Sequence, residues 1–309
     1  MIGEALIDLT APAEDGSAIA RPGGSPMNVA VGLARLGQRT AFAGRLSADP
    51  FGIMLRRYLE RSAVDLRYVV PAAEPSTVAL VELAGGHATY EFALGADFEW
   101  SADELAFLPG GARAVHFGSL ASWLPPGDAA IATAVSRVRG DDSVLISYDP
   151  NVRPSLQPDN VSARRQIEQS VSLAHVVRAS VDDVRWLYGH EADAVARKWL
   201  ALGAMLVVIT MGADGATGWV QGQPPVSRPG FPAAVIDTVG AGDAFTSGLL
   251  DAQARRGLLG PHNLLALGDA TKLADVIDEA SRVAGITCSR QGANPPSRAE
   301  VDSDAHWSA

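Results

Sequence analysis

The chain has 309 residues, 47% apolar and 19% charged, which fits one large domain, or one with an appendage, better than a multidomain array. Its net charge of −10 and pI near 5.0 argue against nucleic-acid and membrane-surface partners, both of which need clustered basic residues. A single cysteine, Cys288, excludes internal disulfides and cysteine-built metal clusters, and the six histidines show no i, i+4 pair for a histidine metal centre.

In chain order, Gly3-Glu-Ala-Leu-Ile-Asp8 reads as a strand with Asp8 at its carboxyl edge, where a carboxylate can bind sugar hydroxyls or cap a turn. Arg21-Pro-Gly-Gly-Ser-Pro-Met-Asn28 then runs into a helix expected over 26–36, with Ser25 as N-cap, Pro26 at N1 and Gly37 as the stop. Capping does not explain Gly23 and Gly24 or Asn28. Paired glycines let a ligand approach the backbone, and an Asn in the first turn can both donate to and accept from a polyol.

Thr77–Leu83 and Thr89–Leu94, joined by 84–88, predict a β-hairpin. With polar residues 10–20 beside it, segment 74–98 reads as a small β lid inserted into the body, or as an edge hairpin of the main sheet. Short β-rich runs follow at Ala114–Phe117, Val144–Tyr148, Val176–Val177 and Leu206–Thr210, with helical patterns between them. That alternation predicts an α/β fold with a mainly parallel sheet covered on both faces, whose ligands gather at the carboxyl ends of the strands.

At such ends lie Asp149-Pro-Asn-Val-Arg153, where Arg153 is suited to phosphate or polyol oxygens or to a surface ion pair, and Thr210-Met-Gly-Ala-Asp-Gly215, a glycine-rich turn. The most informative stretch is Asp237-Thr-Val-Gly-Ala-Gly-Asp-Ala-Phe245, a glycine-rich turn opening a helix. The first N–H groups of a helix lack internal partners and carry partial positive charge. Gly240, Ala241, Gly242 and Asp243 can therefore cradle a phosphate, with Asp243 as base toward an attacking hydroxyl, or form no more than a loop and helix cap. The same helix end is expected to lower the pKa of Asp243. Only Lys198 and Lys272 are lysines, and neither lies in a GxxxxGK[ST] frame, so phosphate is met by backbone N–H groups and arginine. No eighteen-residue apolar run and no signal-like segment is present, so a soluble cytoplasmic protein is expected.

Gly23-Gly-Ser-Pro-Met-Asn-Val-Ala30 and Asp237-Thr-Val-Gly-Ala-Gly-Asp-Ala-Phe-Thr-Ser-Gly248 resemble the two signatures of the ribokinase-like (PfkB) carbohydrate kinases, in the same order and at the family's separation, with similarity from residue 2 to about 298. The resemblance implies a three-layer α/β/α kinase domain with a β-sheet lid, ATP as phosphate donor, Asp243 as base, 240–243 as anion hole, and Asp8, Gly23, Gly24 and Asn28 on the sugar. Thr210, Gly212 and Gly215 resemble the nucleotide loop, and Ser281 stands where relatives often place an asparagine facing the nucleotide. Ser180-Val-Asp-Asp183 occupies the place of an N-x-x-E element and departs from it at both ends. It implies Asp183 as a water-mediated Mg2+ contact, although an acidic residue there also suits the first turn of a helix. Asp237, Val239 and Gly292 resemble loops that hold K+. The motif set is closest to fructokinases. Alternatives are 2-keto-3-deoxygluconate kinase, then ribokinase, or a non-catalytic sugar-binding relative. A homodimer through the lid strands is a further expectation of the resemblance.

Overall fold

The structure, a computed structural model, describes residues 1–10, 18–84, 87–108, 110–157, 159–189 and 191–303. Its strands are β1 (Leu6–Thr10), β2 (Ile19–Gly23), β3 (Arg45–Ser47), β4 (Val70–Ala72), β5 (Val78–Ala84), β6 (His87–Ala93), β7 (Ala114–Gly118), β8 (Leu145–Asp149), β9 (Val176–Ser180), β10 (Leu206–Thr210), β11 (Ala216–Val220) and β12 (Val226–Arg228). The helices are α1 (Ser25–Arg35), α2 (Pro50–Arg61), α3 (Asp128–Arg139), α4 (Asn160–Leu173), α5 (Val181–Tyr188), α6 (Ala192–Ala201), α7 (Ala241–Arg255), α8 (Pro261–Leu264), α9 (Ala270–Cys288) and α10 (Arg298–Ser303).

Among the described residues the main sheet has six strands in the order β12-β11-β10-β9-β8-β7. β7 to β10 run parallel, and β11 and β12 are added antiparallel. Successive side chains of a strand point to opposite faces, and a sheet buried on both sides therefore needs apolar residues at nearly every position. Ile146, Tyr148, Val177, Ala179, Val207 and Ile209 meet α3 to α6 on one face. Leu145, Val176, Leu206 and Val208 meet α1, α7 and α9 on the other. Each buried Val, Leu or Ile among them contributes roughly 1.5–3 kcal/mol against exposure. The resulting three-layer α/β/α arrangement is the expected fold class.

The second sheet has the order β2-β1-β5-β6, with β1 antiparallel to β2 and parallel to β5. The predicted hairpin is present as β5 and β6. Its turn residues Gly85 and Gly86, and residues 11–17 of the predicted cover, lie outside the described residues. The N-terminal contribution is wider than 10–20, because strands at Leu6–Thr10 and Ile19–Gly23 both join this sheet. Asp8 accordingly lies inside a strand of the small sheet rather than at the carboxyl edge of the main one. The chain leaves the main body early: Ile2 bridges Ala43 and Phe117, and Gly3 then turns at φ 148°.

Helices α1 and α7 bring the two motifs together. A Cβ on Gly32 would stand only 2.7 Å from Ser247 Cβ, and one on Gly248 would stand 2.9 Å from Ala280 Cα of α9. The three helix backbones therefore approach one another through glycine, and the N-termini of α1 and α7 meet above the sheet.

Candidate active site

Asp243 stands in the first turn of α7, which opens at Gly240 with φ 74°, a backbone region that favours glycine. A Cβ on Gly240 would also lie 2.5 Å from Ala293 Cβ. Ala241 N–H donates to Thr238 O at 3.2 Å, while Ala244 N–H closes the first helical bond to Gly240 O at 2.8 Å. Among the described residues no acceptor takes the N–H groups of Gly242 and Asp243, which leaves these two as donors for an anion at the helix end.

The Asp243 carboxylate is held from the other motif. Ser25 Oγ donates to Oδ1 at 2.6 Å and Asn28 Nδ2 donates to Oδ2 at 2.8 Å. The expected cap geometry of α1 is thereby changed: Gly24, at φ 104°, is the N-cap, the helix begins at Ser25, and the Ser25 hydroxyl turns to Asp243 rather than to a helix N–H. A Cβ on Gly24 would lie 2.7 Å from Glu4 O, which explains the second glycine of the pair. Among the described residues the buried Asn28 Oδ1 has no partner, which leaves an acceptor for a ligand hydroxyl.

Burial raises the pKa of Asp243, against the bonds from Ser25 and Asn28 and the charges of Arg178 and Arg153, which lower it. The expectation that the helix end would dominate and lower it is corrected, because removing a carboxylate from water outweighs the partial charge of one helix turn.

Asp8 lies beside Gly23, where a Cβ would overlap its carboxylate. Burial pushes the Asp8 pKa up to about 6, with Arg153 pulling it down and Asp243 pushing it up, so the three charges share one neighbourhood. Arg153 donates from Nη1 to Asn151 Oδ1 at 2.7 Å and to the carbonyls of Asn151 and Val152, and its charge also reaches Glu4. Sequence reasoning did not single out Glu4, Ser119 or Asn151. Glu4 is buried and accepts Ala121 N–H at 3.1 Å. Ser119 (φ 54°) and Asn151 (φ 39°) are both held in the left-handed region and are joined by a 3.1 Å hydrogen bond. Such backbone costs of order 1–3 kcal/mol each, and it collects at functional sites.

Gly212 (φ 59°) and Gly215 (φ 94°) shape the turn after β10, and Met211 N–H donates to Gly215 O at 2.7 Å. Ser281 is buried within α9. Asp237 accepts Val239 N–H at 3.0 Å and Gly292 N–H at 2.8 Å, so the two loops compared with K+ sites are tied together by one carboxylate.

Asp183 has a structural employment. It forms a capping box with Ser180, its Oδ2 accepting Ser180 N–H at 3.0 Å and Ser180 Oγ–H at 2.7 Å, while Oδ1 accepts Val152 N–H at 2.9 Å. Oδ1 keeps acceptor capacity for one water. Among the described residues no group of three His, Cys, Asp or Glu could hold a metal ion.

A residue outside every motif, Arg178 of β9, sits beneath this turn and is ion-paired to Asp149 at 2.9 Å. It follows no sequence signal except that an arginine inside an otherwise apolar strand needs a buried partner. No helix among the described residues is long and apolar enough to cross a membrane.

Residues 1–300 match the pfkB family carbohydrate kinase. The chain is 32% identical to a fructokinase of Klebsiella pneumoniae over 281 residues, which cover 89% of each protein. Its structure resembles a fructokinase from Xylella fastidiosa with bound ATP, at a TM-score of 0.89 and 27% identity over 98% of this chain and 96% of that one. It also resembles the fructokinase of Vibrio cholerae O395 in a fructose, ADP and calcium ion bound form, at a TM-score of 0.83 and 25% identity over 97% and 96%. A double mutant of that enzyme is in a potassium ion bound form. On this evidence, the chain belongs to the pfkB family of carbohydrate kinases.

Proposed function

We propose that this kinase transfers the γ-phosphate of ATP to fructose, giving fructose 6-phosphate, with Asp243 as base and the 240–243 backbone as anion hole. The carrying observation is the convergence on one carboxylate of Ser25 and Asn28 from one motif and Asp243 from the other. In this reading ATP lies across 210–215 and 240–243, near Ser281. The sugar lies under the small sheet against Asp8, Gly23, Gly24, Asn28 and Arg153. Phosphoryl transfer asks the protein chiefly for positioning and for donors aimed at developing charge. The N–H groups of Gly242 and Asp243, without an acceptor among the described residues, supply such donors. A small sheet closing over the sugar would exclude water, which competes as acceptor.

Charge favours a neutral sugar over 2-keto-3-deoxygluconate. Glu4, Asp8 and Asp243 all lie in the field of Arg153, so an acidic acceptor would bring a further negative charge to a cation already balanced. The nucleotide's phosphates, with Asp183 through water, would hold Mg2+, which neutralises charge between them. The loops joined by Asp237, at Val239 and Gly292, would hold K+. The reading places the enzyme in the cytoplasm as a homodimer built on the outer strands of the small sheet, β2 and β6, since open edges need cover. Sedimentation that gives a monomer at micromolar concentration would remove the dimer.

The test is ADP release with magnesium and fructose, 2-keto-3-deoxygluconate, ribose, adenosine or no acceptor. Fructose is expected to give the highest kcat/KM. Preference for the keto acid would overturn the sugar assignment, and turnover of none would overturn the kinase reading.

A further inference from the structure

Arg178 connects three parts of the site that are separate in sequence. Asp149, Arg178 and Thr210 lie near the carboxyl ends of neighbouring strands β8, β9 and β10, and alternation along each strand places them on the face covered by α7. The Arg178 side chain is 8% exposed. Nη1 donates to Asp149 Oδ2 at 2.9 Å, Nη2 donates to Thr210 Oγ1, and the buried Nε has no hydrogen-bond partner among the described residues. A Cβ on Gly242 would stand 2.5 Å from Nη1, and the guanidinium carbon is 6.0 Å from the centre of the Phe245 ring. One planar cation therefore stands directly behind the phosphate-binding turn. It grips the head of the Asp149–Arg153 segment with one nitrogen and the first residue of the nucleotide loop with another.

We propose that Arg178 is a positioning residue for phosphoryl transfer, holding Asp149, Thr210 and the Gly242 turn in register and placing fixed positive charge behind the N–H groups that receive the transferring group. This rests on the assignment of Asp243 and the 240–243 turn. Arginine suits the task because its rigid fork spans two partners while staying charged when buried, which a lysine point charge does not. The competing explanation is that Arg178 only neutralises the buried Asp149, whose pKa is pushed up to about 6 by burial and pulled down by Arg178. The glycine at 242 speaks for more. Any side chain there would displace the guanidinium, so the turn and the cation are built around each other.

ADP release by the wild type with the sugar panel comes first. No turnover with any sugar would overturn the kinase reading and this role together, whereas turnover isolates Arg178. Arg178→Gln leaves Asp149 unpaired, so the deciding variant is R178Q/D149N, in which both buried charges are gone and folding is expected to survive. Its kcat should fall about 100-fold with KM for ATP within about threefold. Its affinity for ADP should be kept, while affinity for ADP with aluminium fluoride, which mimics the transferring group, falls by a similar factor. A kcat within about threefold of wild type, or equal losses for ADP and ADP with aluminium fluoride, would reduce Arg178 to a counter-ion of Asp149. Arg178→Lys cannot span both partners and holds its charge less firmly at a buried position. A loss of about tenfold in kcat is expected, and a loss confined to KM or melting temperature would count against the proposal.

Discussion

Ser25 and Asp243, 218 residues apart, are joined by a 2.6 Å hydrogen bond in which the serine hydroxyl donates to the carboxylate. The bond comes from the first residue of α1 and ends in the first turn of α7, so each motif completes the other. It also occupies one oxygen of the proposed base, while Asn28 occupies the second.

Ser25→Ala should therefore change the pH dependence of the reaction. The Ser25 bond lowers a pKa that burial has raised, and its loss lets that pKa rise further. In the proposed reaction the base works ionised, so the acidic limb of kcat/KM should move to higher pH, with the loss largest on the acidic side and fading toward alkaline pH. An unshifted limb would mean that Ser25 does not tune the base.

Asp243→Asn should lower kcat by about 10²–10⁴ while ATP affinity, measured by calorimetry, changes only a few-fold. The amide is nearly isosteric and can keep a bond to either Ser25 or Asn28. Near-normal turnover would show that another group takes the proton.

Asp8→Asn should separate stability from binding. The folded-state pKa of Asp8, about 6, lies above its ordinary value of 3.8. The folded protein therefore holds this proton more tightly than the unfolded chain does. The associated stability is fully present below about pH 3.8 and is lost as pH rises through 6. The neutral amide should raise stability at pH 7.5 by about 1–2 kcal/mol, discounted for a half-buried group, and the gain should shrink as pH falls toward 4. The fructose KM should rise at least about tenfold at the same time if Asp8 accepts from the sugar as proposed, since that acceptor has been exchanged for an amide. Melting curves at both pH values with steady-state kinetics would check both halves.

Gly24→Ala and Gly37→Ala make a controlled pair. Both glycines have positive φ, 104° and 90°, but a Cβ on Gly24 meets Glu4 O at 2.7 Å and a Cβ on Gly37 meets nothing within 4 Å. Gly37→Ala should cost about 1 kcal/mol with kcat/KM unchanged. Gly24→Ala should cost more, about 2–3 kcal/mol, and should lower kcat/KM, because relieving the clash moves Ser25 and Asn28. Denaturant midpoints and kinetics on both variants would test the contrast.

Asp237→Ala should weaken activation by K+ if the loops at Val239 and Gly292 hold that ion, since it removes the carboxylate that ties them. A K+ titration in sodium-free buffer would read the change. An unaltered K+ response would remove that site from these loops.

What the sequence by itself determined was whatever rests on short-range physics. Alternating apolar runs specified a buried parallel sheet, Pro26 and Gly37 bracketed α1, and Gly240 and Gly242 marked a turn that needs bare backbone. The tertiary structure decided distances between segments and, with them, desolvation. No local pattern could say that Ser25 faces Asp243 instead of capping its own helix, or that Asp8 belongs to the small sheet. Asp183 is a capping residue because Ser180 and Val152 both reach it. Arg178 was hidden altogether, since a cation inside a strand acquires meaning only when folding sets Asp149, Thr210 and Gly242 around it. The raised pKa of Asp243 has the same origin. Burial is a property of the assembled layers, and its cost to a carboxylate exceeds what the helix end, legible in the sequence, can return.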